Sequence, residues 1–435
     1  MTSFSQLGLA EPILKALTAK GYDTPTPIQA QAIPPVLAGR DLCGIAQTGT
    51  GKTAAFALPA LDHFVRHPKP TPIQGCRMLV LSPTRELAAQ IAASFREYSR
   101  FVRLSVETVF GGVPIGRQIN KLRAGVDILV ATPGRLLDLI DQRAVTLRDV
   151  EIFVLDEADQ MLDLGFIHAL KRIDKLLPRQ RHTMFFSATM PKAIAELGDR
   201  FLTDPVKVSV TPAATTAERV DQFVTFVGKT EKQALLTLTL AETEIDRALV
   251  FTRTKHGADR VVKHLLAAGI GCAAIHGNKS QPQRTAALQA FRDGRIRILV
   301  ATDIAARGID VSGVSHVFNF ELPNVAEQYV HRIGRTARAG ATGVAISFVD
   351  EEERGYLRGI ERLTRIRLEP MPLPEDFNRR KEALPKPTQA PATAQRRFKD
   401  SRAAPAAADR PKRPFRPNRS RHGVGAHKGA VTRTR

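Results

Sequence analysis

The sequence has no hydrophobic run long enough to cross a membrane, since a spanning helix needs about 20 consecutive apolar residues. The opening segment Met1–Ser5 also lacks the basic-then-apolar order of a secretion signal. These two absences argue against a membrane protein and against a secreted protein. We therefore expect a cytoplasmic chain.

Cysteine is scarce as well, with only Cys43, Cys76 and Cys272 in 435 residues. The three lie far apart and show none of the short spacings with which cysteines bind metals. They predict buried, reduced thiols, which agrees with a cytoplasmic location.

Acidic residues are in deficit, because 43 Asp and Glu face 64 Lys and Arg, giving a net charge of +21 and a pI near 10.4. The excess is concentrated in Asn378–Arg435, which carries 17 Lys and Arg against 3 Asp and Glu. The preceding 377 residues carry only +7 of the net charge. A basic protein of this kind favours a polyanionic partner, nucleic acid above all. The alternative is a solvated tail that only aids solubility.

Short apolar runs alternate with amphipathic stretches, a pattern typical of parallel strands buried between helices. The first series of predicted strands comprises Met78–Leu81, Ile128–Ala131, Ile152–Leu155 and Met184–Phe186. The second series comprises Ala248–Phe251, Ala273–Ile275, Ile298–Ala301, Val317–Phe320 and Val344–Phe348. Two series predict two α/β domains.

The two predicted domains are separated by Thr211–Ala217, a segment with the composition of a linker. We place the first domain at residues 1–208, the linker at 209–219 and the second domain at 220–374. Beyond the second domain, alanine, proline and arginine dominate and the apolar periodicity ends. Because such a segment cannot bury enough apolar surface to offset its ordering entropy, we predict that residues 375–435 are disordered.

A phosphate-binding loop is predicted within Asp41–Thr53, where the pattern indicates a strand, a glycine-rich loop and the start of a helix. Backbone N–H groups of the loop would surround the phosphates of a nucleotide. Lys52 would supply a charge for the β and γ oxygens, and Thr53 would offer a hydroxyl to Mg²⁺. The loop departs from the strict pattern at Ala46, which stands where the first glycine is expected.

A pair of carboxylates, Asp156 and Glu157, directly follows the apolar run Ile152–Leu155. At the end of a strand beside the loop, Asp156 would hold the metal, usually through water. Glu157 would then orient or deprotonate the attacking water. The alternative is an acidic helix N-cap. Together with the phosphate loop, the pair indicates a nucleotide hydrolase.

The sequence Asp-Glu-Ala-Asp at Asp156–Asp159 resembles the signature of the DEAD-box RNA helicases. Other motifs of that family follow in order between about Phe4 and Phe348. They lie at Tyr22–Gln29, Pro83–Ala88, Gly111–Gly112, Thr132–Arg135, Ser187–Thr189, Val250–Arg253, Gln281 with Arg284, Ala301–Asp303, Arg307–Asp310 and His331–Arg338. The resemblance implies two tandem RecA-like domains that use ATP with Mg²⁺ and act on RNA. The compact start and the basic tail resemble the bacterial RhlE-type subgroup.

The resemblance also implies roles for individual residues of an ATP site. Tyr22 would stack on adenine and Gln29 would hydrogen-bond its edge. Arg335 and Arg338 would reach the γ-phosphate as arginine fingers, and Asp310 would contact the ribose. The nucleotide-binding set is Tyr22, Gln29, Thr48, Gly49, Thr50, Gly51, Lys52, Thr53, Gly308, Asp310, Arg335 and Arg338; the catalytic set is Lys52, Asp156, Glu157, Arg335 and Arg338; the metal ligands are Thr53 and Asp156. A third set, Ser187, Thr189, Asp159 and His331, would couple hydrolysis to RNA binding.

An RNA track that grips the backbone and reads no bases is implied in the same way. Its glycines would let RNA approach the chain closely, although each glycine taken singly is more often a turn residue. The matching positions are Arg85, Gly111, Gly112, Thr132, Gly134, Arg135, Arg253, Gln281, Arg284 and Thr302. ATP and RNA together would draw the domains shut, and closure would kink one strand and release a short duplex.

Three functions stay open on the sequence. The first is an RNA helicase that acts locally on short duplexes or remodels ribonucleoproteins. The second is an ATP-gated RNA clamp or ribonucleoprotein scaffold, which would carry the same motifs and is separated from the first only by a strand-displacement assay. The third is a DNA translocase with a related core, which Tyr22–Gln29 and the Asp-Glu-Ala-Asp sequence disfavour. The sequence does not choose among protein partners such as ribosome-assembly or RNA-decay proteins.

Overall fold

The computed structural model describes residues 3–47, 49–210, 220–306, 311, 313–337 and 342–385. This part of the chain contains two parallel seven-stranded sheets with helices packed on them. The fold class expected from the sequence is therefore confirmed. No helix within the described ranges combines the length and the apolar character needed to cross a membrane.

The first sheet brings three functional segments to one edge. Its strands are β1 (Leu42–Ile45), β2 (Cys76–Leu81), β3 (Val106–Val109), β4 (Val126–Ala131), β5 (Ile152–Leu155), β6 (His182–Ser187) and β7 (Val206–Ser209). They lie in the order β3-β4-β2-β5-β6-β1-β7, and all neighbouring pairs are parallel. Because β5, β6 and β1 are neighbours and parallel strands end at the same edge, the segments that follow these three strands meet there.

Nine helices within the described ranges pack on the first sheet or precede it. They are α1 (Glu11–Thr18), α2 (Pro27–Leu37), α3 (Lys52–Arg66), α4 (Arg85–Tyr98), α5 (Ile115–Leu122), α6 (Pro133–Asp141), α7 (Ala158–Asp163), α8 (Ile167–Asp174) and α9 (Lys192–Phe201). One apolar cluster contains Phe56 and Phe95, and a second contains Phe153 and Phe185. Alternate side chains of β5 enter different clusters, so the sheet is covered on both faces.

The second sheet repeats this arrangement. Its strands are β8 (Val220–Phe226), β9 (Ala248–Thr252), β10 (Cys272–Ile275), β11 (Ile298–Thr302), β12 (His316–Asn319), β13 (Gly343–Val349) and β14 (Glu369–Pro370). The order is β10-β11-β9-β12-β13-β8-β14, again parallel throughout. Its helices in the described ranges are α10 (Lys232–Glu242), α11 (Lys255–Ala267), α12 (Gln281–Arg292), α13 (Asp303–Ala306), α14 (Ala326–Ile333), α15 (Arg354–Thr364) and α16 (Phe377–Glu382).

All nine strands predicted from apolar runs are present, with bounds that differ by at most a few residues. The sequence patterns did not single out β3, β7, β8 and β14. Three of these, β3, β7 and β14, lie at sheet edges, and β8 is next to one. In β3 two polar side chains, Glu107 and Thr108, are half-buried between two buried valines, and β7, β8 and β14 have exposed positions, so all four lack a continuous apolar run.

Two predicted boundaries need correction. Ser209 was expected in the linker, but it is the last residue of β7 and pairs with Ile45. The disordered tail was expected from residue 375, but α16 forms at Phe377–Glu382. Phe377 is buried in the second domain's core, and Lys381 Nζ donates to Glu231 Oε1 at 2.5 Å. A single aromatic residue among arginines was too weak a signal for this helix. The remainder of the predicted linker and tail, residues 211–219 and 386–435, lies outside the described residues.

Three helices of the two domains begin at hydroxyl caps, and each cap is adjacent in sequence to a residue of the predicted RNA track. Thr84 caps α4 by accepting from Leu87 N at 3.3 Å, and Thr254 caps α11 by accepting from Gly257 N at 3.0 Å. Ser280 forms a capping box with Gln283 at the start of α12. Helix N-termini attract anions, so these caps hold basic residues in positions suited to phosphate.

Candidate active site and nucleic-acid cleft

The phosphate loop runs from the end of β1 to Lys52, the first residue of α3. Gly49 and Gly51 have φ angles of 86° and 94°, a left-handed conformation that side chains disfavour. A Cβ on Gly51 would lie 2.4 Å from Gln29 Nε2. Thr50 Oγ1 donates to the Gln47 carbonyl at 2.8 Å and closes the turn. The loop is therefore shaped by glycines where the sequence expected them, and Thr48 lies outside the described residues.

Lys52 and Asp156 face each other at the edge where β1 and β5 end. The Lys52 ammonium lies 4.0 Å from Asp156 Oδ1, and both side chains are buried. Neither of these two atoms has a hydrogen-bond partner among the described residues. Burial raises the pKa of Asp156 to about 7, with the Lys52 ammonium opposing the rise and the Glu157 carboxylate adding to it. Buried polar atoms without partners indicate a site built for a ligand.

Glu157 adopts a strained backbone conformation beside Asp156. Its φ is 56°, in the left-handed region, and it is the N-cap of α7 without a side-chain capping bond. The side chain is buried, and both carboxylate oxygens lack a hydrogen-bond partner within the described ranges. Glu157 therefore occupies the N-cap position, but its carboxylate does not cap the helix. Strain of this kind is typical of catalytic positions.

The residues expected to hold Mg²⁺ fit that ion. Thr53 in the first turn of α3 and Asp156 at the end of β5 supply a hydroxyl and a carboxylate, the oxygen donors that Mg²⁺ prefers. Asp156 Oδ1 is buried without a hydrogen-bond partner from the described residues. The part of the chain that the structure describes contains no cluster of three or more His, Cys, Asp or Glu that could hold a metal by itself. The site suits an ion that takes its other ligands from phosphate and water.

Gln29 connects α2 to the phosphate loop. Its Oε1 accepts from Thr26 N at 2.9 Å, and its Nε2 donates to the Gly51 carbonyl at 3.1 Å. Tyr22 is 39% exposed, its ring lies 6.5 Å from that of Tyr98, and the Lys20 ammonium lies 5.4 Å from the centre of the Tyr22 ring. Gln29 therefore positions the loop, in addition to the base-contacting role expected from the resemblance.

Asp159 joins the segment after β5 to the segment after β6. Its Oδ2 accepts hydrogen bonds from Ala188 N, Thr189 N and Thr189 Oγ1, each at 3.1 Å. Ser187 Oγ is buried and has no hydrogen-bond partner within the described ranges. The last carboxylate of the Asp-Glu-Ala-Asp sequence thus fixes the Ser187–Thr189 segment beside the hydrolytic pair.

A cavity of about 230 Å³ has one wall from each domain. Gln47, Gln160 and Thr189 line the first-domain wall, whereas His331 and Arg335 line the second. Arg335 is buried, and its Nε donates to the His331 carbonyl at 3.3 Å. The structure therefore places one expected arginine finger across from the phosphate loop. Three other expected nucleotide contacts, Gly308, Asp310 and Arg338, lie outside the described residues.

Arg332 organises the second-domain wall; it stands in the recognised motif His331–Arg338, but the sequence assigned it no role. It is 1% exposed and makes a bidentate pair with Asp303, at 2.6 and 2.8 Å. It also donates to Asn319 Oδ1 at 3.1 Å and to the Glu321 carbonyl at 2.6 Å. Arg332 thereby ties α14 to α13 and to the end of β12, and it holds its neighbours His331 and Arg335 in place.

A second cleft, of about 410 Å³, collects most of the predicted RNA residues. Arg85, Gly111, Thr132, Gly134 and Arg135 line it from the first domain, and Arg284 lines it from the second. Gly112 is adjacent, with a φ of 80°, and a Cβ there would lie 2.0 Å from Arg85 Nη1. Burial lowers the pKa of Arg85, and the nearby Arg284 guanidinium lowers it further. Crowded cations of this kind favour a polyanion as ligand.

Polar contacts cross between the domains beside this cleft. Arg284 Nη2 lies 2.8 Å from Glu86 Oε2, and Gln281 Nε2 donates to Glu86 Oε1 at 3.2 Å. Arg85 Nη1 donates in turn to Gln281 Oε1 at 3.2 Å. Glu86 was part of a recognised motif but was given no role, since its partners lie more than 190 residues away in sequence.

Arg253 and Thr302 are not among the residues that line the cleft. Arg253 Nη1 donates to Asn324 Oδ1 at 3.3 Å, and Nη2 lies 3.5 Å from Glu353 Oε1. Thr302 is the last residue of β11. These two residues therefore lie beyond the group that the structure brings together around Arg85.

Comparison with known proteins identifies the family. The model of the DEAD/DEAH box helicase domain matches residues 26–197, and the model of the helicase conserved C-terminal domain matches residues 230–340. The DEAD-box ATP-dependent RNA helicase CshA of Bacillus cereus is 43% identical over 374 residues, 86% of this chain and 70% of that protein. The CshA of Listeria monocytogenes is 44% identical, over 86% of this chain and 71% of that protein.

Solved structures agree with this assignment. S. cerevisiae Dbp5 bound to RNA and ADP BeF3 matches with a TM-score of 0.76 and 30% identity, covering 88% of this chain and 99% of that one. The two sheets are therefore the tandem RecA-like domains that the sequence led us to expect. The similar bacterial proteins carry the name CshA, and membership of the RhlE-type subgroup stays a prediction. The chain belongs to the DEAD-box family of ATP-dependent RNA helicases.

Proposed function

We propose that this helicase couples RNA-stimulated ATP hydrolysis and closure of its two domains to local unwinding of short RNA duplexes or to ribonucleoprotein remodelling. The observation that carries the proposal is the division of the ATP site between domains. Lys52, Asp156 and Glu157 belong to the first domain, whereas Arg335 belongs to the second and lines a cavity together with Gln47, Gln160 and Thr189 of the first. A site divided in this way is complete only when the domains are together.

Hydrolysis would begin with Lys52, Asp156 and Glu157, which have buried polar atoms without hydrogen-bond partners among the described residues. Lys52 would neutralise the β and γ phosphates, and Glu157 would orient the attacking water and accept its proton. Thr53 and Asp156 would hold Mg²⁺, which supplies charge neutralisation at the same phosphates. Arg335 would stabilise the charge that develops in the transition state, a contribution of about 10³–10⁵ in rate for arginine fingers. Asp310 and Arg338 would join them by the family's pattern.

Coupling to RNA would run through two sets of contacts. The Asp159 carboxylate fixes the Thr189 segment, which lines the same cavity as His331. Glu86 pairs with Gln281 and Arg284 beside the RNA cleft. A strand bound in the cleft would contact both domains and favour the closed arrangement, and closure would in turn complete the ATP site. Dbp5, which has been solved with RNA and a nucleotide analogue together, supports this cycle by similarity.

RNA would be held by its backbone. The cleft offers guanidinium groups of Arg85, Arg135 and Arg284 and close approach at Gly111 and Gly134. Such groups contact phosphate and sugar without reading bases, so we propose little sequence preference. Arg253 and Thr302 would extend the track by the family's pattern.

The domain assignment supports a division of labour along the chain. Residues 1–208 and 220–374 would act as the two moving bodies, with a linker at 209–219. The basic segment after Pro385 would tether RNA near the core without sequence preference. We also propose a cytoplasmic location, with ribosome-assembly or RNA-decay proteins as partners.

Strand displacement tests this proposal against the clamp alternative. Wild-type protein should release the shorter strand of a tailed RNA duplex when ATP is added. Glu157→Gln should retain ATP-dependent RNA binding but lose displacement, with hydrolysis reduced by about 10²–10⁴. If the wild type binds RNA in an ATP-dependent manner without releasing a strand, the protein acts as a clamp and the unwinding proposal fails.

A further inference from the structure

Helix α11 presents a basic face that none of the contacts described above uses. Lys255, His256, Arg260 and Lys263 are exposed or largely exposed, and at about 100° per residue they span an arc of about 140°. The opposite face carries the buried side chains of the helix, Ala258, Val261 and Leu265. The basic residues therefore point to solvent together.

The acidic residue on this face, Asp259, is already paired. Its Oδ1 lies 2.8 Å from Lys279 Nζ and 3.0 Å from His276 Nε2. Burial alone would raise the pKa of Asp259, but the nearby Lys279 and His276 side chains outweigh burial and lower it. Asp259 is thus held as a carboxylate whose negative charge is compensated by Lys279 and His276. The face as a whole therefore stays basic.

The same contacts join this face to the RNA cleft. Gly277 lines the cleft, and it lies in the loop that His276 anchors to Asp259. Next in that loop, Asn278 accepts a hydrogen bond from Lys255 Nζ at 3.2 Å. The loop then leads into α12, which carries Gln281 and Arg284. The basic face therefore begins where the cleft ends.

The charge on the face acts on a neighbouring titratable group. His264 is half-buried on the same helix, and burial lowers its pKa. The positive charges of Arg260 and Lys263 lower this pKa further. A positive potential that disfavours a third cation would favour an anionic backbone at the same place.

We propose that the exposed face of α11 is a second RNA-binding surface, which takes the phosphate backbone of RNA that extends beyond the cleft. The inference rests on the proposed function, because it assumes that RNA occupies the cleft. From Lys255 to Lys263 the helix rises about 12 Å, enough to follow about two backbone phosphates. The surface would bind without sequence preference and would lengthen the site beyond what the cleft alone can hold.

The test uses full-length protein and a series of unstructured RNAs from about 4 to about 16 nucleotides. The double variant Arg260→Gln/Lys263→Gln removes two charges from α11. The control Arg358→Gln/Arg362→Gln removes two charges from exposed positions of α15. Neither residue lines the ATP-site cavity or the RNA cleft. Dissociation constants are measured for each RNA over a range of salt concentrations, together with ATP hydrolysis stimulated by the shortest RNA.

The α11 variant should bind the longer RNAs about fivefold to thirtyfold more weakly than the wild type, and the shortest RNA equally well. For the longer RNAs, the slope of log affinity against log salt should fall by about 1.4, since each contact to a single strand contributes about 0.7. The control should match the wild type on all RNAs. Equal affinity of the α11 variant and the wild type at every length would overturn the inference and make an acidic protein the better partner for this face. If none of the RNAs, whatever its length, stimulates ATP hydrolysis by the wild type, the proposed function itself fails.

Discussion

Glu86 and Arg284 join the two RecA-like domains through an ion pair of 2.8 Å, with both side chains largely buried. The pair lies beside the RNA cleft, and Gln281 donates to the other oxygen of the same carboxylate. Because Glu86 and Arg284 belong to different domains, the pair can form only when the domains are together. Removing one partner would leave the other as a buried, unpaired charge, which is costly. The pair is therefore a direct structural link between domain closure and the RNA site.

A double-mutant cycle tests that link. Glu86→Gln and Arg284→Gln should each raise the RNA concentration needed for half-maximal ATP hydrolysis, because each removes one partner of the pair. The double variant should be much less than additive, with a coupling energy of about 0.5–3 kcal/mol. Strict additivity would show that the two side chains act independently and that the pair does not link the domains.

Gly112 should be intolerant of a side chain because it packs against Arg85. In Gly112→Ala the new methyl would lie 2.0 Å from Arg85 Nη1, at a φ of 80° that alanine disfavours. The guanidinium would have to move, and we expect RNA affinity to fall about tenfold, or about 1.4 kcal/mol.

Gly116→Ala is the matched control, since a Cβ there meets no atom within 4 Å and the residue lies in α5. Its RNA affinity should equal that of the wild type, and helix stability should rise slightly. If a titration showed equal RNA affinity for the two alanine variants, Gly112 would have no role in RNA binding.

Glu151, directly before β5, should make folding stability depend on acidic pH. Burial opposes its ionisation, but hydrogen bonds from Arg77, His63 and Lys69 prevail and lower its pKa from 4.5 to about 2. The folded state thus binds its proton less readily than the unfolded state. The resulting stability is fully present above about pH 4.5 and is lost as the pH falls toward 2.

Thermal unfolding of Glu151→Gln measures this contribution. The variant should have a lower Tm than the wild type at pH 7, and the difference should shrink as the pH falls below 4.5. Glu196→Gln, at an exposed position 4.0 Å from Lys192, serves as the control and should change Tm little at any pH. A Tm difference for Glu151→Gln that is constant from pH 7 to pH 3 would show that the charge of this carboxylate does not stabilise the fold.

The basic tail should contribute affinity but not catalysis. A deletion must begin after Pro385, because α16 packs Phe377 into the second domain's core. Removal of residues 386–435, which hold 14 Lys and Arg against 2 Asp and Glu, should weaken RNA binding and flatten its dependence on salt. Hydrolysis without RNA should stay unchanged. A salt titration that superimposes on that of the full chain would leave the tail without a role in RNA binding.

Local patterns in the sequence were enough to predict the architecture. Strands such as β5 are buried on both faces and therefore appear as continuous apolar runs, and the segments after β1, β5 and β6 carry the motifs. The edge strand β3 has polar, half-buried residues at its centre and gives no such signal. The helix α16 was missed because its single buried aromatic, Phe377, stands in a segment of tail-like composition.

The contacts that the sequence could not predict at the site are those that no motif pattern specifies. Motif spacing predicts that Lys52 and Asp156 share one site, and the structure places Lys52 Nζ 4.0 Å from Asp156 Oδ1. Motif spacing could not show that Glu86 pairs with Arg284, nor that Arg332 holds Asp303 and Asn319. These contacts depend on how whole elements pack, and the local sequence does not specify that packing.

The most direct test of the account is steady-state ATP hydrolysis without nucleic acid, with single-stranded RNA and with DNA of matched sequence. The divided ATP site predicts slow hydrolysis alone, strong stimulation by RNA and little stimulation by DNA, with Glu157→Gln reduced by about 10²–10⁴ under each condition. Stimulation by DNA equal to that by RNA would indicate a DNA translocase. A rate that neither nucleic acid changes would contradict the coupling between the RNA cleft and the ATP site on which the account depends.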